Sequence, residues 1–501
     1  MKARRCSARR CGKWGRPARG TLAAAVPVAV PVAFLVVVLV VVLTGLTCAW
    51  LATAAWAEAP QAAQAQAPAQ PQQAPAQAPA PAQPPAQPQA QPPLVSLEEA
   101  VRTALAVHPS IKQGQSVVDQ SKAVVAQRQA AYWPFVDSDL AYQRVKRGFV
   151  GGVSGGATVT QFSQYTAALH AQQNIYDFGR TGNRVKAARG TLEANRFGLV
   201  STEGDVVLNV KVAYFQVIQT QRLLAVSEAS LRRLEAHLRQ AGGLHEVGLR
   251  PKIDVTRAEV DYTSGQADRI TRISNVGVAK ATLVNAVGAP LPLNYEVEEY
   301  PVKPAPGAME PLLAEALKQR PEVRQLEAQI VGLEAQVSAA WADYLPALTG
   351  SGDYNYSGSQ FPLPNNWDAG ANFNVPIFNG FLTRANVDAA RAAVRQTQAA
   401  LASLRNDVRL EVEQNFLDVR SAQERLVAQR EAVRAAQENL DLAQARYQEG
   451  LGSAIEFTDA EVSLTQAQAN EVQAVYDLQI ARARLARAVG GPSMLASTGE
   501  F

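Results

Sequence analysis

Trp367-Asp368-Ala369-Gly370-Ala371-Asn372-Phe373-Asn374-Val375 alternates without a break. In an extended chain Asp368, Gly370, Asn372 and Asn374 share one face, and Trp367, Ala369, Ala371, Phe373 and Val375 share the other. Successive side chains of a strand point to opposite faces, so the stretch reads as a strand that is wet on one side and apolar on the other. The pattern recurs upstream. Between Leu348 and Tyr356, the residues Thr349, Ser351, Asp353 and Asn355 oppose Leu348, Tyr354 and Tyr356. Earlier still, Val136, Leu140 and Tyr142 oppose Asp137, Asp139 and Gln143, while Ala167, Leu169 and Ala171 oppose Ala168, His170, Gln172 and Asn174. A soluble sandwich needs more strands than these four. A membrane barrel explains the alternation better, with lipid against the apolar face and a lumen against the polar one, where His170 is placed.

The segments flanking these strands have helical character. Arg180 to about Gly242 and Leu382 to about Glu449 contain no proline. At ~1.5 Å per residue, such runs reach about 100 Å. Val419, Ala422, Leu426, Gln429, Val433, Ala436, Leu440, Ala443 and Tyr447 follow alternating steps of three and four, a coiled-coil seam with one polar interruption at Gln429. Each run turns at a glycine-containing tip and returns to Val287 or Val489. Ahead of the strands, Ser96-Leu97-Glu98-Glu99 has the form of a capping box opening a helix.

Ordered matches join the two halves. Ala104-Leu105 with His108-Pro109 parallels Ala316-Leu317 with Arg320-Pro321, and Tyr132-Trp133-Pro134 parallels Tyr344-Leu345-Pro346. Ile175-Tyr176-Asp177-Phe178-Gly179 parallels Ile377-Phe378-Asn379-Gly380 with one residue fewer. Gly248-Leu249 with Asp254 parallels Gly450-Leu451 with Glu456, and Ala286-Val287-Gly288 parallels Ala488-Val489-Gly490. A duplicated unit of strand, strand and long helical hairpin accounts for this order. The first copy carries extra residues around the glycine-rich stretch Gly148–Gly156. Four strands cannot close a membrane barrel, whereas three chains with four strands each give about twelve and leave a lumen. A homotrimer is the symmetric solution.

The N-terminus reads as an export signal. Lys2, Arg4, Arg5, Arg9, Arg10, Lys13, Arg16 and Arg19 precede an apolar run from Leu22 to about Leu46, and Ala55-Trp56-Ala57 forms a small-x-small cleavage site. A retained membrane anchor competes with this reading, and Cys48 raises the question of lipidation. Residues 58–93, almost wholly Ala, Gln and Pro, read as a disordered tether. The expected organisation is 1–57 signal, 58–93 tether, 94–290 first repeat, 291–309 linker, 310–492 second repeat and 493–501 tail.

Composition narrows the function. The net charge of +4 depends on the eight basic residues of the signal; without them 48 − 8 = 40 Lys and Arg face 44 Asp and Glu. That balance gives no electrostatic footprint for nucleic acid. Cys6, Cys11 and Cys48 all lie in the signal, so neither a disulfide framework nor a thiolate metal site is expected in the mature chain. No catalytic, metal or cofactor-binding residue is expected. Gly152-Val153-Ser154-Gly155-Gly156 mimics a nucleophile elbow but lacks the strand-to-helix context. His245-Glu246 opens a zinc-protease-like string in which Leu249 stands at the second histidine position.

The order of these motifs resembles the TolC-like outer-membrane efflux family from Leu94 to Pro492. The carrying segments are Tyr132-Trp133-Pro134, Tyr344-Leu345-Pro346, Pro376-Ile377-Phe378-Asn379-Gly380 and the tips at Val247–Asp254 and Gly450–Glu456. The resemblance implies a mainly α protein with a membrane β-barrel: a trimeric 12-stranded barrel continued by an α-helical barrel across the periplasm. It implies a passive exit channel in the outer-membrane lipid, working with a periplasmic adaptor and an inner-membrane pump of RND or ABC type. Glu456 and Asp459 match acidic positions that constrict the periplasmic aperture, although first-turn acids also complement a helix dipole. Gly248, Leu249, Arg250 and Asp254 in one tip, and Gly450, Leu451, Ser453 and Glu456 in the other, match adaptor-contact positions. Gly452 departs from the basic residue some relatives carry there, which puts an ion-pair latch in doubt. A duct for type I protein secretion and a non-conducting periplasmic coiled coil are the competing functions.

Overall fold

A computed structural model describes residues 94–149, 158–290, 295–298 and 308–490, all within one compact unit, Pro88–Phe501. The signal, the tether, Cys48, the Gly152–Gly156 motif, most of the linker and the tail lie outside the described residues.

The chain opens with β1 (Leu94–Val95), α1 (Leu97–Val107) and α2 (Pro109–Ala130). The Ser96 cap forms, its Oγ accepting from the Glu99 amide at 3.2 Å. Next come β2 (Phe135–Phe149), β3 (Thr158–Tyr176), α3 (Arg180–Glu246) and α4 (Lys252–Val287). The second half holds β4 (Glu296–Val297), α5 (Met309–Gln319), α6 (Pro321–Trp341), β5 (Ala347–Gly358), β6 (Asn365–Asn374), α7 (Leu382–Gln448) and α8 (Ala454–Val489). The short parallel pair β1–β4, absent from the sequence reading, is only two residues long per strand. Burial of Tyr214 beside it supports the pair, because the phenol donates to the carbonyls of Val95 and Glu298.

The four alternating segments form one antiparallel sheet in the order β2-β3-β5-β6. Its register keeps the alternation coherent from strand to strand. Leu140 faces Ala167 and Ala167 faces Tyr356, while Leu169 faces Tyr354 and Tyr354 faces Trp367. Antiparallel partners share a face, so these residues build one apolar surface. Among the described residues nothing covers it: Leu140 is 85% exposed, Trp367 74% and Phe373 60%. Exposed aromatic residues gather at both ends of the sheet, with Trp133, Phe135 and Phe373 at the helical end and Tyr142, Trp367 and Phe361 at the other. No helix among the described residues is long and apolar enough to cross a membrane.

α3 and α7 are each 67 residues long, about 100 Å at ~1.5 Å per residue. α4 and α8 are each 36 residues. Both long helices therefore run slightly past or close to their expected ends. α3 packs against α2, α4, α6 and α8, and α7 packs against α6 and α8. The seam from Val419 to Tyr447 is buried at both ends and half-buried through Gln429, Val433 and Ala436, where it meets Phe457, Ala460 and Leu464 of α8. Gly190 and Gly332 allow α3 and α6 to touch: a Cβ on Gly190 would lie 2.4 Å from the Gly332 Cα.

The turns from sheet to long helix correct one expectation. Phe178 and Gly179 have φ of 54° and 87°, and Gly380 and Phe381 have φ of 63° and 65°. Both turns thus use two consecutive left-handed residues, with glycine and phenylalanine exchanged. The second is no shorter than the first. Asp177 accepts from the Thr181 amide at 2.8 Å, and Asn379 donates to Thr383 Oγ1 at 2.5 Å, so the same spacing fastens each helix start.

Candidate functional site

Each helical tip is a Schellman turn. Leu249 N donates to Leu244 O at 2.9 Å and Gly248 N to His245 O at 2.9 Å. In the second tip Leu451 N donates to Arg446 O at 2.9 Å and Gly450 N to Tyr447 O at 3.2 Å. Gly248 and Gly450 both have φ of 74°, a conformation that costs a side-chain-bearing residue about 1 kcal/mol. The following leucines project outward, Leu249 at 70% exposure and Leu451 at 77%. Of the residues expected to form contact tips, these two present apolar surface. The glycines serve the turn, and Ser453 caps α8 by accepting from the Glu456 amide at 3.2 Å.

Arg250 has a different role. Its guanidinium donates to the carbonyls of Gly452 at 2.8 Å and Tyr447 at 3.4 Å, and sits 4.6 Å above the Tyr447 ring. Asp254 lies 4.0 Å away on its other side, and both side chains are mostly buried. Arg250 therefore bolts the first tip to the second within one chain. Gly452 is part of the fastening. A Cβ there would lie 3.1 Å from both the Tyr447 amide nitrogen and Arg446 Cβ, so glycine keeps its carbonyl close enough to receive Arg250. The missing basic residue in the second tip is thus accompanied by an acceptor for the basic residue of the first. Thr458 Oγ1 adds a bond to Asp261 at 3.0 Å, again joining α8 to α4.

An aromatic cluster lies beneath this fastening. The His237 ring of α3 stacks on Phe457 of α8 at 4.1 Å and stands 5.0 Å from Tyr447 of α7. Burial pushes the His237 imidazole below its usual range, against the opposing pull of Asp261 and Asp254. Among the described residues neither His237 Nδ1 nor the Tyr447 hydroxyl has a hydrogen-bond partner. Further along, the buried carboxylate of Glu461 accepts from Ser230 at 2.8 Å and Arg233 at 2.7 Å, tying α8 to α3. The sequence reading had Tyr447 in the seam but missed its partnership with Arg250, His237 and Phe457. Those residues come from four different segments, and no spacing rule connects them.

Glu456 and Asp459 sit on successive turns at the start of α8, as their spacing implied. Their surroundings differ. The Glu456 carboxylate lies 3.5 Å from Arg446 Nε, with both groups half-exposed. Asp459 is exposed beside a groove between α4 and α8 that also holds Arg257, Asp261 and Ile455.

Partway along the long helices, where α6 begins and α8 ends, a second ionic cluster locks the layers together. Glu322 of α6 accepts from Arg487 of α8 at 2.5 Å and from Arg320 at 3.1 Å. Arg487 also reaches Asp205 of α3 at 2.8 Å, and Arg320 reaches Glu411 of α7 at 2.6 Å. Burial raises the Glu322 pKa, but hydrogen bonds and charge from Arg487, with help from Ser201, outweigh it and bring it to about 2.

A sheet with one wet and one bare apolar face, set on helical hairpins whose outgoing helices are about 100 Å long, is the build of an outer-membrane channel. The chain belongs to the outer membrane efflux protein family, which it matches over residues 100–289 and 312–491. It is 24% identical over 389 residues to the probable efflux pump outer membrane protein TtgC of Pseudomonas putida, covering 74% of this chain and 78% of that one. Identity to the outer membrane protein TolC of Salmonella enteritidis is 25% over 348 residues, covering 66% and 69%. Its fold is similar to that of the outer-membrane channel OprN, with a TM-score of 0.70 at 20% identity over 79% of this chain and 90% of that one. The protein is accordingly an outer-membrane efflux protein of the TolC-like kind, with helices extending into the periplasm.

Proposed function

We propose that the chain is a non-enzymatic exit duct of a tripartite efflux system, passively conducting substrates delivered by a periplasmic adaptor and an inner-membrane pump. The observation that carries this reading is the sheet. Among the described residues its apolar face lacks protein cover, and its outer strands β2 and β6 have no further strand beside them. β2 and β6 run in opposite directions, so β6 of one copy can pair antiparallel with β2 of the next. Open edges of this length need such a partner. Three copies close a barrel of about twelve strands with room for a lumen. The equal lengths of α3 and α7, and of α4 and α8, support a duplicated unit as its origin. The boundaries of the signal, tether, repeats, linker and tail are proposed as read from the sequence.

Leu249 and Leu451, flanked by the tip glycines with Arg250, Asp254, Ser453 and Glu456, form the proposed adaptor-contact surface. Glu456 and Asp459 are proposed to line the periplasmic aperture, where threefold symmetry would gather their carboxylates into a cation-favouring ring. The fastening by Arg250 holds the second tip beside the first and keeps that aperture narrow.

The test is reconstitution. Purified full-length protein should be a trimer by light scattering and should conduct ions across a planar bilayer. A monomer that fails to conduct would sink the duct reading and return the chain to a structural role. Leu249→Asp with Leu451→Asp should leave the trimer and its conductance in place while abolishing cross-linking to the adaptor in cells. Undiminished cross-linking would remove the leucines from the contact surface.

A further inference from the structure

The register of the sheet brings four titratable residues into one row. Asp137 of β2 faces His170 of β3, His170 faces Asp353 of β5, and Asp353 faces Asp368 of β6. Paired residues of an antiparallel sheet share a face, so all four stand on the polar side. Asp139 lies on that side too, its carboxylate 3.5 Å from His170 Nε2, while His170 Nδ1 is bonded to Asp353. The imidazole is therefore held between carboxylates of two neighbouring strands.

This arrangement makes His170 distinctive. Among the described strand side chains, the polar face bears no Lys or Arg; Arg144 and Lys146 have the parity of the apolar face. Among the described side chains of that face, His170 is thus the one group able to carry positive charge. The charged groups it meets are Asp137 and Asp139 from β2, Asp353 from β5 and Asp368 one strand further on β6. With the carboxylates ionised, each chain contributes a formal charge of −4 when His170 is neutral and −3 when it is protonated.

We propose that His170 is a proton-titrated selectivity element in the barrel lumen: its protonation partly neutralises a carboxylate belt and lowers the channel's preference for cations. The proposal rests on the duct reading, which places the polar face of the sheet around the lumen. Confined charge acts strongly there, because low-dielectric walls focus the field and potentials reach several kT. Removing one quarter of the charge at such a belt changes the cation-to-anion permeability ratio about threefold. Imidazole titrates between about pH 5 and 8, whereas carboxylates ordinarily do so at lower pH, which separates the two contributions.

The experiment measures reversal potentials in a KCl gradient between pH 5 and 8, using the full-length protein in planar bilayers. Glu456→Gln and Asp459→Asn form the background, which takes the aperture carboxylates out of the measurement. In that background the permeability ratio should fall about threefold as the pH is lowered through the imidazole window. His170→Asn should hold the high-pH ratio across the window, and His170→Lys should hold the low-pH ratio up to pH 8. A step that persists in His170→Asn, or a His170→Lys channel as cation-preferring at pH 8 as its parent, would overturn the proposal. A conducting parent channel with no step overturns this proposal alone. A protein that conducts in none of these forms overturns the duct reading and the proposal with it.

Discussion

Replacing Arg250 by alanine tests the fastening between the two tips. The change removes a charge-assisted hydrogen bond of 2.8 Å to the Gly452 carbonyl and the cation–π contact with Tyr447. The first contributes about 1.5–3 kcal/mol and the second about 1 kcal/mol. Gly452 lies at a tip, where water can replace part of the lost bond, so a net loss of about 2 kcal/mol is the better expectation. At about 1.4 kcal/mol per factor of ten, the parted state of the tips gains about thirtyfold in population. Amide hydrogen exchange at Phe457–Glu461 reads this directly and should accelerate by a similar factor, while exchange around Val210 in the core of α3 stays as before. Single-channel conductance should rise in the same variant. Arg250→Lys retains the charge but loses the planar stack and the forked donor geometry, so it should fall between the two. Unchanged exchange at the second tip, together with unchanged conductance, would show that the aromatic cluster holds the tips without Arg250.

Glu322→Gln probes the ionic cluster between α6 and α8. The Glu322 pKa is about 2 in the folded chain against 4.5 for the free group, so its stabilisation is full above pH 4.5 and is lost as the pH falls through the folded value. That shift corresponds to about 3 kcal/mol, and the glutamine variant should melt at lower temperature at pH 7 while losing less on acidification to pH 3. Equal acid sensitivity in both proteins would remove Glu322 from the account. His237 gives a window of its own. Burial lowers its folded pKa, so its contribution is full above the ordinary imidazole value and is lost as the pH falls below it. His237→Phe should keep the tip aromatic stack and abolish the rise in tip hydrogen exchange below about pH 6; a rise of unchanged size would refute the assignment. Glu456→Ala with Asp459→Ala should raise conductance or reduce cation preference, and single-channel behaviour identical to the parent would count against an acidic aperture.

Much of the architecture was legible in the sequence because local periodicity carries it. The alternation from Trp367 to Val375 and its three counterparts assigned both faces of every strand, since neighbouring side chains of a strand have no other way to point. Proline-free runs located α3 and α7, and the glycines at 248 and 450 located their tips, because only a residue tolerant of positive φ closes a Schellman turn without strain. The seam on α7 followed from spacing alone. One motif misled: Asp177-Phe178-Gly179 and Asn379-Gly380 seemed unequal because glycine marks a different one of two left-handed positions in each turn.

The tertiary structure decided what meets what. Arg250 and Gly452 belong to tips separated by about two hundred residues, and only folding of α3 against α8 brings the guanidinium to the carbonyl. Glu322 acquires its depressed pKa from Arg487 on a different helix, and burial between Tyr447 and Phe457 lowers that of His237. The row from Asp137 through His170 and Asp353 to Asp368 depends on strand register. Each strand's own period states which face a residue takes, but the height at which it meets its neighbours is fixed by pairing across the sheet. Periodicity is a property of one segment and can be read along the chain; register, burial and ion pairing are properties of two or more segments and exist only once they are packed.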